Sequence, residues 1–444
     1  MKHRYDIPDV QIRRTRLWLP VAAVAVIVVA LAAHHADLLY VGKYRTLMII
    51  WTVTFAWSLW QLFLCWRDKP RTVTPKQQQQ LDKLRVAVVI PAYNEDPELL
   101  DRALYGLFRQ TRLPQQVVVV NDGSAREYHE IRDYWSLHHP RRVEFTWIIQ
   151  FNRGKRHAQA RAFEMTRGAD IIITLDSDTA LEQHAIEEGL KPFADPDVQS
   201  VAGLELAFNQ NKNWLTRLNG VRQLAWQLSA CSAQSVMGNV LVNRGTYALY
   251  RAALVRDHLA SYLTEDFFGH NVLFGDDSLL TTFAIGRGRA VQQISAVQLT
   301  MYPENVNHHL RQWTRWMRSS TIRTFWRIRY LPLTSFGWWT TAINLWLFFA
   351  SLFASVIAIV MWPVTGYFVA DAIGAPVIWL YLAAIRIFIV RRSDETLADV
   401  LDSFIVIPLA FVWLLAVLKP LRIWGMATCW RTGWGTRADV EVGA

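Results

Sequence analysis

The stretch "RVAVVIPAYNED", residues 85–96, decides the fold. From Val86 to Ile90 the chain is apolar without a break, and it stops at Pro91. A strand with one wet face alternates apolar and polar residues. A continuous run is buried on both faces, as in a parallel sheet covered by helices. Two further runs repeat the pattern. "QQVVVVNDGS" (115–124) ends in Asn121-Asp122-Gly123-Ser124, and "ADIIITLDSDT" (169–179) ends in Asp176-Ser177-Asp178. Helical stretches separate the runs, the first from Pro97 to about Gln110. This alternation predicts an α/β domain over residues 84–305. Polar residues at the strand C-termini mark its ligand crevice.

Those strand ends carry chemistry. Asp176 and Asp178 flank one residue, so both can face one ion as the chain turns. Hard oxygen ligands suit Mg²⁺ or Mn²⁺, and such an ion would clamp a diphosphate. Taken alone, a pair of loop acids is more often solvated. Asp122 can accept hydrogen bonds from a nucleoside; an Asx turn is the plainer alternative. Lys155 and Arg156 in "NRGKRHAQA" (152–160) open a helix, and a helix N-terminus with basic side chains suits phosphate. No Gly-x-x-x-x-Gly-Lys-Ser/Thr is present, which excludes a P-loop.

Outward from this domain the chain turns apolar. It is 52% hydrophobic with 21 Trp, heavy for a soluble enzyme. Long apolar runs cover Leu17–Ala33, Thr46–Trp66, Phe336–Trp362, Val364–Ile389 (broken by Asp371 and Arg386) and Phe404–Leu418. Such runs read as transmembrane helices. A cleaved signal peptide is the rival for the first, because Arg13, Arg14 and Arg16 precede it and Ala30-Leu31-Ala32 closes it. Its length and the second run soon after favour a span. Lys2, Arg4 and the three arginines before the first run, with Arg67, Lys69 and Arg71 after the second, place both flanks in the cytoplasm. The net charge of +10 is read as membrane-flanking charge, not as a nucleic-acid footprint. The three cysteines give no disulfide framework or metal spacing. The histidine pairs (34–35, 138–139, 308–309) read as solvated or interfacial side chains. Between His308 and Tyr330 lie six arginines and no acid, interleaved with Trp313, Trp316, Phe325 and Trp326. That predicts a basic amphipathic helix on an anionic inner leaflet.

"TEDFFGHNVLFGDD" (264–277) holds two acidic triplets, and either could supply a proton-accepting carboxylate. Asp276 and Asp277 precede an apolar stretch, as acids at a helix start should.

Taken in order, Pro91-Ala92-Tyr93-Asn94-Glu95, Asp122-Gly123-Ser124, Asp176-Ser177-Asp178, Gly275-Asp276-Asp277 and Gln312-Trp313-Thr314-Arg315-Trp316 resemble the membrane-embedded family 2 glycosyltransferases. The likeness is greatest to the hyaluronan synthase group, which includes the rhizobial chitin-oligosaccharide synthases. It covers residues 85–330 and returns at Trp434-Gly435-Thr436-Arg437. The resemblance implies a GT-A domain, its sheet mixed but mostly parallel, inserted between transmembrane helices. It also implies roles: Pro91, Tyr93 and Glu95 around uracil, Asp122 at the uridine, and Lys155 at the diphosphate. Asp178, with Asp176, would hold the metal. Gln312, Arg315 and Trp316 would close the acceptor end, and Trp434 and Arg437 would belong to a gating loop.

In that group about three dozen residues separate the base from the Gln of Gln-x-x-Arg-Trp. Gln312 follows Asp277 by 35 residues and Asp266 by 46, so Asp277 is the expected base, ahead of Asp276 and well ahead of Asp266. One departure stands out. Where the group has a Cys-Ser-Gly-Pro-like run, this chain has Asn243-Arg244-Gly245-Thr246, which leaves the acceptor open.

The expected layout is a tail with two transmembrane helices (1–70), a cytoplasmic GT-A domain (84–305), amphipathic interface helices (306–332), a C-terminal transmembrane region (333–424) and a cytoplasmic tail (425–444). Six spans are expected, in the plasma membrane, with a monomer as the expected state. The expected activity is inverting, processive transfer from UDP-GlcNAc and UDP-GlcUA to a growing β-linked polysaccharide, with Mg²⁺ or Mn²⁺. A non-processive chitin-oligosaccharide or glycolipid synthase is the alternative. A silent transporter or receptor is disfavoured by the intact acids.

Overall fold

The computed structural model describes residues 5–13, 45–125, 128–365 and 384–433. Its main elements are α1 (Arg45–Arg67), β1 (Val86–Ala92), α2 (Pro97–Leu107), β2 (Gln116–Asn121), β3 (Glu144–Ile149), α3 (Lys155–Met165), β4 (Ile171–Leu175), β5 (Ala180–Leu181), β6 (Val198–Ala207), α4 (Trp214–Trp226), β7 (Tyr247–Arg251), α5 (Asp276–Arg287), β8 (Arg289–Thr300), α6 (Val306–Tyr330), α7 (Phe336–Thr365) and α8 (Leu397–Trp413).

The eight strands form one sheet in the order β3-β2-β1-β4-β7-β6-β8-β5. β1 pairs in parallel with β2 and β4, and β2 with β3. β7 runs antiparallel to both β4 and β6, and β5 antiparallel to β8. The sheet is therefore mixed but mostly parallel, the GT-A arrangement expected. Side-chain alternation explains why β1 reads as one apolar run. Val86, Val88 and Ile90 join the core under α2, with Leu100 and Leu104. Ala87 and Val89 point to the other face, among Ala158, Ala162 and Phe163 of α3.

Outside this domain the helices are apolar. α1 runs 23 residues and α7 runs 30. Among the described residues, two segments are long and apolar enough to cross a membrane, Phe336–Phe353 and the continuous helix Leu397–Ala427. The second touches α4 near its start and α6 further on. Near its start, Asp402 pairs with Arg217 of α4 at 3.2 Å. Further on, the Leu418 carbonyl accepts from Trp313 Nε1 at 3.3 Å, and Thr428 Oγ1 accepts from Arg318 Nε at 3.0 Å.

The expected fourth run ends differently from a span. Ile385–Ile389 is a tight 3₁₀ turn, and Val390–Arg392 pairs antiparallel with Val10–Ile12 of the N-terminal tail. Arg386 is buried there, donating to the carbonyls of Leu228 (2.6 Å) and Asp68 (3.1 Å). Such a cation, and backbone that must pair with a strand, hold this stretch to the protein. The expected first span, Leu17–Ala33, lies outside the described residues.

α6 is helical as expected, but two of its arginines face inward. Arg323 and Arg327 are buried, and Arg327 Nη2 donates to the Leu241 carbonyl at 2.5 Å. His308 and His309 are buried as well, which sets aside the solvated half of the expectation of solvated or interfacial rings. Trp413 Nε1 donates to His309 Nε2 at 3.4 Å. Burial, with Arg222 and His308 adding, lowers the His309 pKa to about 4 and keeps the ring neutral.

Candidate active site

The crevice is built at the C-terminal ends of the parallel strands. After β1 the chain turns through Asn94, held at φ 46°. Its amide donates to Ser124 Oγ (3.0 Å), and its side-chain oxygen accepts from the Ala125 amide (2.9 Å). The turns after β1 and β2 are thereby clipped together. Pro91 is buried in β1, Tyr93 is half-buried beyond it, and Glu95 is buried, its Oε2 accepting from Ser177 Oγ at 3.1 Å. The Glu95 carboxylate thus reaches the Asp176-Ser177-Asp178 turn after β4.

Asp122 is not in an Asx turn. Oδ1 accepts from Gln150 Nε2 (2.7 Å) and the Arg153 amide (3.0 Å), and Oδ2 from the Gly154 amide (2.8 Å). A carboxylate offers about four acceptor positions, so one stays open to a nucleoside. Gly123 at φ 72° is required beside it, because a Cβ would lie 2.7 Å from the Asn152 amide nitrogen. The bonded loop delivers Lys155 as the first residue of α3.

Lys155 is where the acids meet. Its Nζ lies 2.8 Å from Asp176 Oδ1 and 3.3 Å from Asp276 Oδ2. Burial works against its charge, but Asp176 and Asp276 outweigh burial and keep it protonated. The two acids opening α5 are pushed apart. Burial would raise Asp276, yet Lys155 and then Arg156 hold its carboxyl below the usual carboxylate range. Asp277 is raised to about 6, by burial first and then by the Asp276 charge, against the pull of Lys155. Its Oδ2 accepts from the Gly245 amide at 3.2 Å and its Oδ1 from the Ser278 amide at 2.6 Å. Neighbouring carboxylates with diverging pKa values can take different chemical roles.

Asp176 is also raised to about 6 by burial, with Lys155 opposing and Asp178 adding. Asp178 Oδ1 accepts only from the hydroxyls of Thr179 (3.2 Å) and Thr300 (3.4 Å) among the described residues. No group of three or more His, Cys, Asp or Glu able to hold an ion is found among the described residues. Two adjacent carboxylates that crowd each other nevertheless fit Mg²⁺ or Mn²⁺, which take one or two protein oxygens and fill the rest from phosphate and water.

α6 passes the same corner. Ser319 Oγ lies 3.3 Å from Ser278 Oγ, next to Asp277, and one turn from Trp316. The approach is tight: at Gly275 (φ 70°) a Cβ would fall 2.1 Å from Ser319 Oγ. Trp316 is exposed, and its ring meets Trp313 edge-on at 5.9 Å; Gln312 and Arg315 are half-buried on the same helix. Asp266 is elsewhere. It is exposed in a short hairpin, where Oδ1 accepts from the Gly269 amide at 2.9 Å. Trp434 and Arg437 lie outside the described residues. The chain leading to them is pinned at the site, because the Thr432 carbonyl accepts from the Leu273 amide at 3.2 Å.

Sequence reasoning missed two groups. Arg156, expected near phosphate with Lys155, is buried and pairs with Glu265 at 2.7 Å. Glu205 Oε2 accepts from Thr246 Oγ1, and its Oε1 from the Tyr302 hydroxyl, both at 2.8 Å, which fixes the loop that departs from the family run. The only sequence signal for Glu265 is an acid in an apolar and basic neighbourhood, and that has no characteristic spacing.

Comparison with known proteins follows the same lines. The Glycosyl transferase family 2 profile matches residues 87–259. The hyaluronan synthase of Streptococcus pyogenes is 33% identical over 370 residues, 81% of this chain and 84% of that one. An N-acetylglucosaminyltransferase of Azorhizobium caulinodans is also 33% identical, over 244 residues, 53% of this chain and 59% of that one.

Proposed function

The chain belongs to glycosyltransferase family 2 and is a glycosyltransferase, and from that premise we propose that it polymerises UDP-sugars into a β-linked polysaccharide and exports it. Hyaluronan, from UDP-GlcNAc and UDP-GlcUA, is the polymer proposed. The likeness to the streptococcal hyaluronan synthase covers 81% of the chain. The equally identical N-acetylglucosaminyltransferase matches a much shorter part of the chain.

The observation that carries the mechanism is the split between Asp276 and Asp277 around Lys155. Asp277, its pKa raised to about 6, accepts the proton of an acceptor hydroxyl as that oxygen attacks the anomeric carbon. The Gly245 and Ser278 amides each take one of its oxygens and fix its orientation. Lys155, held protonated, stabilises the departing diphosphate, and Asp276 holds Lys155 in place. A single displacement inverts the anomeric centre, so an α-linked donor yields a β-linkage. A divalent ion on Asp178, with Asp176 shared between it and Lys155, would supply further charge neutralisation at the diphosphate. Trp316 gives the acceptor sugar a stacking surface beside the base.

The catalytic domain is proposed to lie on the cytoplasmic side of a plasma membrane. The N-terminal tail (Tyr5 to Asp101), the chain after α1 (Arg71 to Gln292), the turn at Ile385–Ile389 (Arg386 to Leu228) and the chain near Thr432 (to Leu273) all touch it. An even number of crossings must therefore separate each from the next. The helix Leu397–Ala427, tied to the domain at Asp402 near its start and at Thr432 just past its end, is then proposed to lie along the membrane interface. Helix α6, with Arg311 and Arg329 exposed, lies beside it.

The test is UDP release by purified protein given UDP-GlcNAc, UDP-GlcUA, or both. Sustained release that requires both donors supports the proposal. Equal release from UDP-GlcNAc alone would replace it with an oligosaccharide synthase.

A further inference from the structure

The Thr264-Glu265-Asp266 triplet holds no base in this account, yet Glu265 is among the most heavily bonded carboxylates of the chain. It is buried, and three separate elements converge on it. From α3, Arg156 Nη2 reaches Oε2 at 2.7 Å. From α6, Arg323 Nη2 reaches Oε2 at 2.6 Å, Arg323 Nη1 pairs with Oε1, and Trp326 Nε1 donates to Oε1 at 3.1 Å. From the loop before α5, the Val272 amide donates to the Glu265 carbonyl at 2.9 Å. Arg156 closes the triangle by donating to the Phe274 carbonyl at 2.5 Å, two residues before Asp276.

Each partner is a short lever from the reacting groups. Arg156 follows Lys155 directly. Phe274 and Gly275 lead into Asp276 and Asp277. Arg323 lies seven residues after Trp316, about 10 Å along one rigid helix. Both arginines are buried, so without the carboxylate two adjacent cations would repel each other. Nothing in binding a nucleotide or a sugar needs such a cluster at that depth. Its geometric consequence is to fix the acceptor-bearing helix against the turn carrying the base.

We propose that Glu265 is a positioning residue that locks α6 to the Lys155 and Asp276-Asp277 turns, so that donor and acceptor ends keep one register during transfer. Loosening the lock leaves the donor activated but the acceptor misplaced, and water takes the sugar instead. Displacement of about 1 Å between reacting groups costs far more rate than binding.

This rests on the sugar-transfer reading, and the experiment separates the two. Full-length protein in detergent is given UDP-GlcNAc and UDP-GlcUA. UDP released, sugar incorporated into polymer and thermal unfolding are followed for wild type, Glu265→Gln, Glu265→Asp and Arg323→Lys. Wild type releasing no UDP would sink the transfer reading itself. Glu265→Gln leaves two buried cations and risks unfolding, so Arg323→Lys, which keeps the charge and loses the two-pronged bond, is the deciding variant. It should unfold close to the wild-type temperature and incorporate about tenfold less sugar, while UDP release falls less. The share of donor lost to water then rises several-fold, with Glu265→Asp in between. The inference is overturned if Arg323→Lys and Glu265→Asp keep wild-type incorporation and hydrolysed share. It is equally overturned if incorporation and UDP release fall in strict proportion to lost folded protein.

Discussion

The amide of Gly245 donates to Asp277 Oδ2 across 3.2 Å, joining the loop that departs from the family's usual run to the acid placed best for proton transfer. A backbone donor does not depend on the side chains of Asn243-Arg244-Gly245-Thr246, so the departure from the family run leaves the orientation of Asp277 supported. Asp277→Asn should lower transfer by about 10²–10⁴-fold with UDP binding intact, measured by turnover and by calorimetric UDP titration. Asp266→Asn, on an exposed hairpin, should stay within a few-fold of wild type. Normal turnover in Asp277→Asn would remove the assignment.

The rate should fall on the acid side. Asp277 must be ionised to accept a proton, and its carboxyl is raised to about 6. Transfer is therefore full above that pH and is lost as pH drops through it. Asp276→Asn removes a charge that raises Asp277, so the acid limb should move to lower pH even though turnover falls. The stability sign is opposite. A carboxyl raised on folding contributes stability that is present below the unfolded pKa of about 4 and lost as pH rises through about 6. Asp277→Asn should then unfold at or above the wild-type temperature at neutral pH. An acid limb at pH 4 in wild type would contradict the burial argument.

Chelation should stop turnover, and Mg²⁺ or Mn²⁺ should restore it. The basis is the crowded pair Asp176 and Asp178 at the end of β4. Asp178→Ala should stay inactive at any metal concentration, whereas wild type regains its rate. Full activity in EDTA would give both acids a structural role only.

Trp434→Ala and Arg437→Ala should lower polymer synthesis strongly while expression and membrane insertion are unchanged. The argument is the hydrogen bond from the Leu273 amide to the Thr432 carbonyl, which brings the chain to the loop before Asp276 two residues ahead of Trp434. A planar aromatic and a guanidinium there can cover a sugar and reach a diphosphate, keeping water out. UDP release should fall less than polymer yield. A truncation after Gly433 that made full-length polymer at the normal rate would rule the gating role out.

The central sheet was legible because β1, β2 and β4 are buried on both faces and so read as unbroken apolar runs. The crevice was legible because Asp122, Asp176 and Asp178 sit where those runs stop. Asp277 was preferred to Asp266 by the distance from Gln312 that the family resemblance implies and by its place at a helix start, and the helix start is found at Asp276. What the sequence hid was partnership. Six arginines on α6 look alike, yet only packing sends Arg323 and Arg327 inward and leaves Arg329 outside. The His308-His309 pair reads as polar until α4 and Trp413 are seen to cover it. An apolar helix such as Leu397–Ala427 has the same composition whether it crosses a bilayer or lies along a catalytic domain. Its contacts with Arg217, Trp313 and Arg318 leave no mark in that composition.

The most direct test of the central claim is the size and linkage of the product made by purified, lipid-embedded protein from isotopically labelled UDP-GlcNAc and UDP-GlcUA, read by gel electrophoresis and NMR. The account predicts a long polymer containing both sugars with β-linkages throughout, and no long product from either donor alone. Short GlcNAc-only oligomers, unchanged by adding UDP-GlcUA, or any α-linked product would contradict it.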